Sequence, residues 1–319
     1  MSLDYLIIGA GPAGLACAIE AQRKNLDYVV VDKGCITDAI YRFPADLVFF
    51  STPDRLAIGD ALFITESFRP TRIEVLNYYR SVVDHYGLKI AAYEKVESIK
   101  ADSGSFNVHT LLGSGEKRVR KADKVIVATG YYDHPNMLGI QGEDLPKVSH
   151  YYTEAHPYHN CDVAIIGGKN SAVEAALAFC RAGARVTMIH RGATVSGSVK
   201  YWVRPDIDKK LEAGEIKAMF DSEVVRIKPD AIEVKNNDSG DTVKLKNDFV
   251  FALTGYHPGA ELLTGCGARI DSDTLAPEHN LDTLETSVPG LYVAGSIVAG
   301  KNNNKVFIEN SREHGKKIV

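Results

Sequence analysis

Two stretches of this 319-residue sequence combine glycines, a helix start and a charged strand end in the pattern that a bound dinucleotide requires. In the first, Gly9-Ala10-Gly11-Pro12-Ala13-Gly14 separates an apolar run (LDYLII) from a helical one (LACAIEAQRKN). The first glycine of such a motif permits a tight turn, the second lets a pyrophosphate approach the backbone, and the third lets the helix pack on the strand. Free amides at the helix start then face the phosphates. Asp32, with Lys33 beside it, ends the next apolar run, where a carboxylate about 20 residues on accepts from a ribose hydroxyl.

The second stretch, Gly167-Gly168-Lys169-Asn170-Ser171-Ala172, repeats the theme with Ala172 in the helix-packing place and Lys169 where the second glycine normally stands. Its strand ends in His190-Arg191 instead of an acid. A carboxylate there would repel a 2'-phosphate, whereas Arg191 can hold one in a forked, charge-assisted pair, so NADPH is expected over NADH. Lys200 is a further candidate for that phosphate.

Each motif needs a βαβ unit to position it, and the apolar and helical periodicities place such units at residues 3 to 33 and 161 to 192. Between them, 71 to 86 reads as a helix and 89 to 127 as a β-meander ending in a buried strand before Ala128-Thr129-Gly130. The loop 131 to 160, rich in Pro, Gly, His and Tyr, is the expected crossing between domains, and Tyr131, Tyr132 and His150 could line an entrance there. A second meander spans 214 to 253, and the chain returns through Val288 to Ser296, with Gly295 and Ser296 in the turn, to a final helical stretch.

Taken in this order, the motifs resemble the two-dinucleotide-binding flavoproteins of the thioredoxin-reductase superfamily over nearly the whole chain. FFSTPDRLAIGD, ATGYYDHPN, LPKVSHYYTEAHPY, IIGGKNSA, ALTGYHP and VFIEN are similar to strings of the bacillithiol-disulfide reductase family. The resemblance implies an α/β fold of two Rossmann-like domains, each with a β-meander. An FAD-binding domain (1 to 155 and 254 to 319) would carry an inserted NADPH-binding domain (156 to 253), with hinges in the loop 131 to 160 and near Gly255. It further implies FAD contacts from Gly9, Gly11, Pro12, Ala13, Gly14, Asp32, Lys33, Thr129, Gly130, Gly295 and Ser296. NADPH contacts would come from Gly168, Lys169, Asn170, Ser171, Ala172, His190, Arg191 and Lys200. Ser296 stands where the superfamily usually has Asp, and Ala13 where the family carries a cysteine. Superfamily members are commonly homodimers, so a homodimer is an expectation of the resemblance.

Of the five cysteines, Cys17 is the one considered for catalysis, being on the face of Ala13 but about 6 Å deeper along the helix. Cys35 follows Asp32 closely and is expected near the adenosine end of FAD, far from the reacting ring; Cys161, Cys180 and Cys266 have no paired base that the sequence identifies, and the wide spacing contains no CxxC. His134, His150, His156 and His159 match no ligand spacing, so no metal is expected. A balance of 37 Lys plus Arg against 41 Asp plus Glu gives a net charge of -4, which offers nucleic acid or an anionic membrane no pull. No apolar run suits a membrane span or a signal peptide, and a cytoplasmic protein is expected. The expected activity is an NADPH oxidoreductase acting on a low-molecular-weight or protein disulfide. Its alternatives are an NADPH dehydrogenase with a non-disulfide acceptor, a flavin-monooxygenase-like enzyme, or a binding module without turnover.

Overall fold

A computed structural model describes residues 2–302 and 305–319. The chain forms two compact units, Met1–His134 with Tyr256–Val319, and Pro135–Gly255.

In the first unit, strand Leu3–Ile8 lies between Tyr28–Val31 and Lys117–Val127, parallel to both. Its near-continuous apolar sequence reflects burial on both faces. Ile7 joins the side chains of helices Pro12–Arg23 and Arg72–Tyr86, while Leu6 and Ile8 join the opposite cluster with Val96, Phe106 and Val108. Fully burying each such side chain contributes about 1.5–3 kcal/mol. The long strand Lys117–Val127 serves three partners: besides Leu3–Ile8, its start continues the antiparallel meander Glu94–Asp102, Ser105–Leu112, and its end pairs with Leu291–Val293, which leads into the late turn. Helix Arg72–Tyr86 starts where Thr71 and Glu74 close a capping box, the Glu74 carboxylate accepting from the Thr71 amide at 2.8 Å.

The second unit has a five-stranded parallel sheet among the described residues, in the order Ile216–Met219, Arg185–Ile189, Asp162–Ile166, Phe249–Ala252, Val148–Ser149. Ile165 faces the cluster of helix Asn170–Arg181, and Ala164 and Ile166 face that of the antiparallel sheet Ser222–Lys228, Ala231–Asn236, Thr242–Lys246. The crossing falls between His134 and Pro135, earlier than the expected 155. Val148 and Ser149 pair with Val250 and Phe251, and Tyr152 packs edge-on against Phe179 and Phe251, so this segment belongs to the second core. Among the described residues no helix is long and apolar enough to cross a membrane.

Candidate active site

In the first unit Gly9 has φ +111°, and a β-carbon there would meet the Ala128 carbonyl oxygen at 2.4 Å. A β-carbon on Gly14 would lie 1.9 Å from the Gly9 carbonyl oxygen, so helix and strand touch through backbone alone. At Gly11, the residue before the helix, the same test meets no atom within 4 Å: the turn is open on the side that a pyrophosphate would occupy. Asp32 braces this turn, its Oδ2 accepting from the Ala10 amide at 2.7 Å and its Oδ1 from Gly34 at 2.8 Å. The other side of the turn is held by the Thr37 amide, which donates to the Ala10 carbonyl at 3.0 Å. Burial raises the Asp32 carboxyl above its ordinary range, against these two amides. Each oxygen still has a lone pair for a ribose hydroxyl.

The other candidates of this unit gather at the same helix start. The missing β-carbon of Gly295 falls 2.9 Å from the Ala13 β-carbon, and that of Gly130 falls 3.7 Å from the Ser296 hydroxyl. Thr129 follows Ala128, whose carbonyl touches Gly9. Lys33 pairs with Asp133 at 2.8 Å, and Arg42 pairs with both Asp133 and Asp38. Burial acts to raise the Asp133 carboxyl, but Lys33 and Arg42 outweigh it and hold it below the usual range. Tyr131 is largely buried, which raises its hydroxyl pKa, and Tyr132 packs between Phe43 and Tyr256.

In the second unit Gly167 corresponds to Gly9. It has φ +143°, and its absent β-carbon would lie 2.6 Å from the Leu253 carbonyl oxygen and 3.0 Å from the Ala172 β-carbon. Lys169 takes the position of Gly11 before helix Asn170–Arg181, and both it and Ser171 are exposed. His190 packs on this turn: a β-carbon at Gly168 would come 2.5 Å from its ring. Burial, then Arg191 and Lys169, lower the His190 pKa. Arg191 is exposed at the strand end. Lys200 is engaged elsewhere, its Nζ meeting Glu174 at 2.7 Å. Asn170 is spent on the same loop, accepting from the Lys200 amide at 2.9 Å and donating to the Ser198 carbonyl at 3.3 Å.

A family profile described as pyridine nucleotide-disulphide oxidoreductase matches residues 6–295. The chain belongs to this family. It is 43% identical to the Bacilliredoxin reductase Bdr of Bacillus subtilis over 315 residues, 98% of this chain and 95% of that protein. The solved structure of Bacillithiol Disulfide Reductase Bdr (YpdA) from Bacillus cereus matches with a TM-score of 0.97 at 43% identity, over 100% of this chain and 98% of that one. The corresponding enzyme from Staphylococcus aureus gives 0.94 at 41% identity, over 100% and 97%. The protein is therefore an oxidoreductase, and the family implies a flavin and a nicotinamide nucleotide. The open approach at Gly11 and the braced carboxylate of Asp32 fit the adenosine diphosphate half of such a group.

Burial disfavours the thiolate at three of the five cysteines. Cys17 is fully buried, and desolvation, with Glu20 nearby, pushes its thiol up to about 12. Its catalytic candidacy finds no support there: it packs beneath the helix His314–Ile318. Burial also raises the pKa of Cys35, with Asp38 adding to it, and that of Cys266. Among the described residues no group of three or more His, Cys, Asp or Glu side chains is arranged to hold a metal. Three site neighbours escape sequence reasoning, Arg42, Asp133 and His314. Arg42 has no motif around it, Asp133 lies inside ATGYYDHPN without a role that the string announces, and His314 stands 19 residues beyond the turn it touches, where the Gly295 amide donates to its Nδ1 at 3.1 Å.

Proposed function

We propose that the protein is an FAD-dependent, NADPH-oxidising disulfide reductase of the cytoplasm. Its acceptor is the disulfide of a low-molecular-weight thiol of the bacillithiol type. The observation that carries this reading is the full-length match to two solved bacillithiol disulfide reductases, with the first glycine turn open at Gly11. FAD, when bound, supplies the two-electron redox chemistry. Asp32 accepts from the ribose of FAD, the amides after Gly11 take its pyrophosphate, and Thr129, Gly130, Gly295 and Ser296 border the rest. Arg191 takes the 2'-phosphate of NADPH, and Lys169 neutralises its pyrophosphate. In the net reaction NADPH and one proton reduce RSSR to two RSH with release of NADP⁺: the sulfur–sulfur bond breaks, and each sulfur ends with one proton.

A second reading, an NADPH dehydrogenase with a non-disulfide acceptor, is favoured by one feature. Ala13 holds the place where the resemblance puts a cysteine, and the thiol next along that helix, Cys17, is buried with a raised pKa. The deciding experiment follows NADPH consumption by the FAD-loaded protein with and without bacillithiol disulfide, against NADH at equal concentration. Disulfide-dependent turnover with NADPH preferred supports the reductase. Rapid anaerobic flavin reduction without disulfide turnover selects the second reading.

A further inference from the structure

The helix His314–Ile318 lies directly on the helix that begins at the first glycine turn. A β-carbon at Gly315 would stand 2.7 Å from the Ala16 carbonyl oxygen and 3.0 Å from the Cys17 α-carbon, so only glycine allows this approach. The seat is held at its far end by Tyr5, whose hydroxyl donates to the Ile318 carbonyl at 3.2 Å, and by Lys24 on the Val319 carbonyl. At its near end this packing delivers His314 to the late turn. There the Gly295 amide donates to Nδ1 at 3.1 Å, which leaves the ring proton on Nε2.

Gly295 has φ +78° and faces the Ala13 β-carbon, so the late turn and the glycine turn are in contact. The Ser296 hydroxyl sits beside Gly130 in the same arrangement. Nothing else described holds the Gly295 amide. We propose that His314 is a positioning residue of the flavin site: by capturing the Gly295 amide on Nδ1 it fixes the peptide that carries Ser296 against the start of the first helix. The proposal rests on the flavin reading of the first unit, and is independent of which acceptor the enzyme uses.

The surroundings keep the ring in the form that this role needs. Burial first, then Lys317 from its own helix and His279 from the preceding loop, press its pKa down to about 4. The first helix turns Ala16 and Cys17 toward this helix and directs Glu20 and Arg23 at Lys316. A protonated ring would present N–H instead of a lone pair to the Gly295 amide, and the contact would become repulsive.

The test compares His314→Asn, whose side-chain oxygen falls near the place of Nδ1, with His314→Leu, which has no acceptor. Apoprotein is titrated with FAD by fluorescence, and the thermal midpoint of each apoprotein is recorded. The leucine variant is expected to bind FAD about tenfold more weakly or worse, the loss typical of one buried acceptor, and the asparagine variant within about threefold of the parent. Equal losses in both variants, or parental affinity in the leucine variant, would overturn the proposal. Should the leucine apoprotein fail to fold, the pH profile decides: FAD affinity of the parent should hold at pH 6.5 and fall as pH drops through about 4 while that of His314→Asn stays flat, and parallel profiles would refute the role. A parent protein that binds no FAD overturns both the flavin reading and this one; a parent that binds FAD yet reduces no disulfide overturns the acceptor alone.

Discussion

The two glycine turns share a local plan and differ in what surrounds them. Both begin with a glycine at positive φ pressed on a carbonyl from a distant strand, Ala128 in one and Leu253 in the other, and both launch helices of 12 residues. In the first, the sixth residue must be glycine because backbone meets backbone. In the second, the Ala172 β-carbon is accommodated because it faces Gly167, which carries none. The first strand pair ends in a half-buried carboxylate tied to two amides, the second in a histidine on the turn and an exposed arginine. Local spacing therefore makes the same glycine turn twice, and the two differ in the charge that ends the second strand.

Exchanging the sixth residues tests this most severely. Gly14→Ala should cost about 3 kcal/mol or more, since backbone must move to admit the methyl group, and should abolish FAD retention. The reciprocal Ala172→Gly should cost only about 1 kcal/mol of helix stability. Chemical denaturation and the flavin absorbance of the purified proteins measure both, and similar losses would break the comparison.

Acid should separate the turns next. His314 titrates near 4 in the fold and near 6.5 in the unfolded chain, so the unfolded chain binds the proton first as pH falls. Stability present above pH 6.5 is lost progressively down to about 4, on the order of 2 kcal/mol after allowing for partial exposure. The second turn should respond with the opposite sign. His190, also held below its ordinary pKa, adds a cation beside Arg191 and Lys169 when it protonates, so NADP⁺ should bind more tightly as FAD is lost. Calorimetric titrations with each nucleotide across this range would show whether the signs differ.

Smaller effects sharpen the assignment of the second strand end. Arg191→Ala should raise the KM for NADPH about tenfold and leave NADH within about twofold, the size expected of a charge-assisted pair. Lys200→Met should change the NADPH KM by less than about threefold, because its partly exposed pair with Glu174 is worth little and holds the ammonium away from this role. Steady-state kinetics with both nucleotides distinguish the two. A tenfold effect at Lys200 would mean that the pair with Glu174 opens when the nucleotide binds.

Much of this was legible before any coordinates. The βαβ units could be read because strand, turn and helix are contiguous, and helix Arg72–Tyr86 because Thr71 and Glu74 announce its start. Where in the loop 131 to 160 the chain crosses was not legible, because Val148 and Ser149, too short a run to read as a strand, find their partner in Val250 and Phe251 at the far end of the second unit. Lys200 was a further candidate for the phosphate, and nothing in its spacing reveals Glu174 as its partner.

By itself, then, the sequence determined the two turns, their order, the charges that end their second strands and the absence of a cysteine at position 13. These are properties of neighbouring residues, written in covalent spacing. Only the tertiary structure decided that Ala128 closes on Gly9, that Gly295 comes to rest on Ala13, that Cys17 lies buried, and that His314 reaches the late turn. Those contacts join segments far apart in the chain, and they arise when helices and strands bury their apolar faces together, which no local pattern specifies.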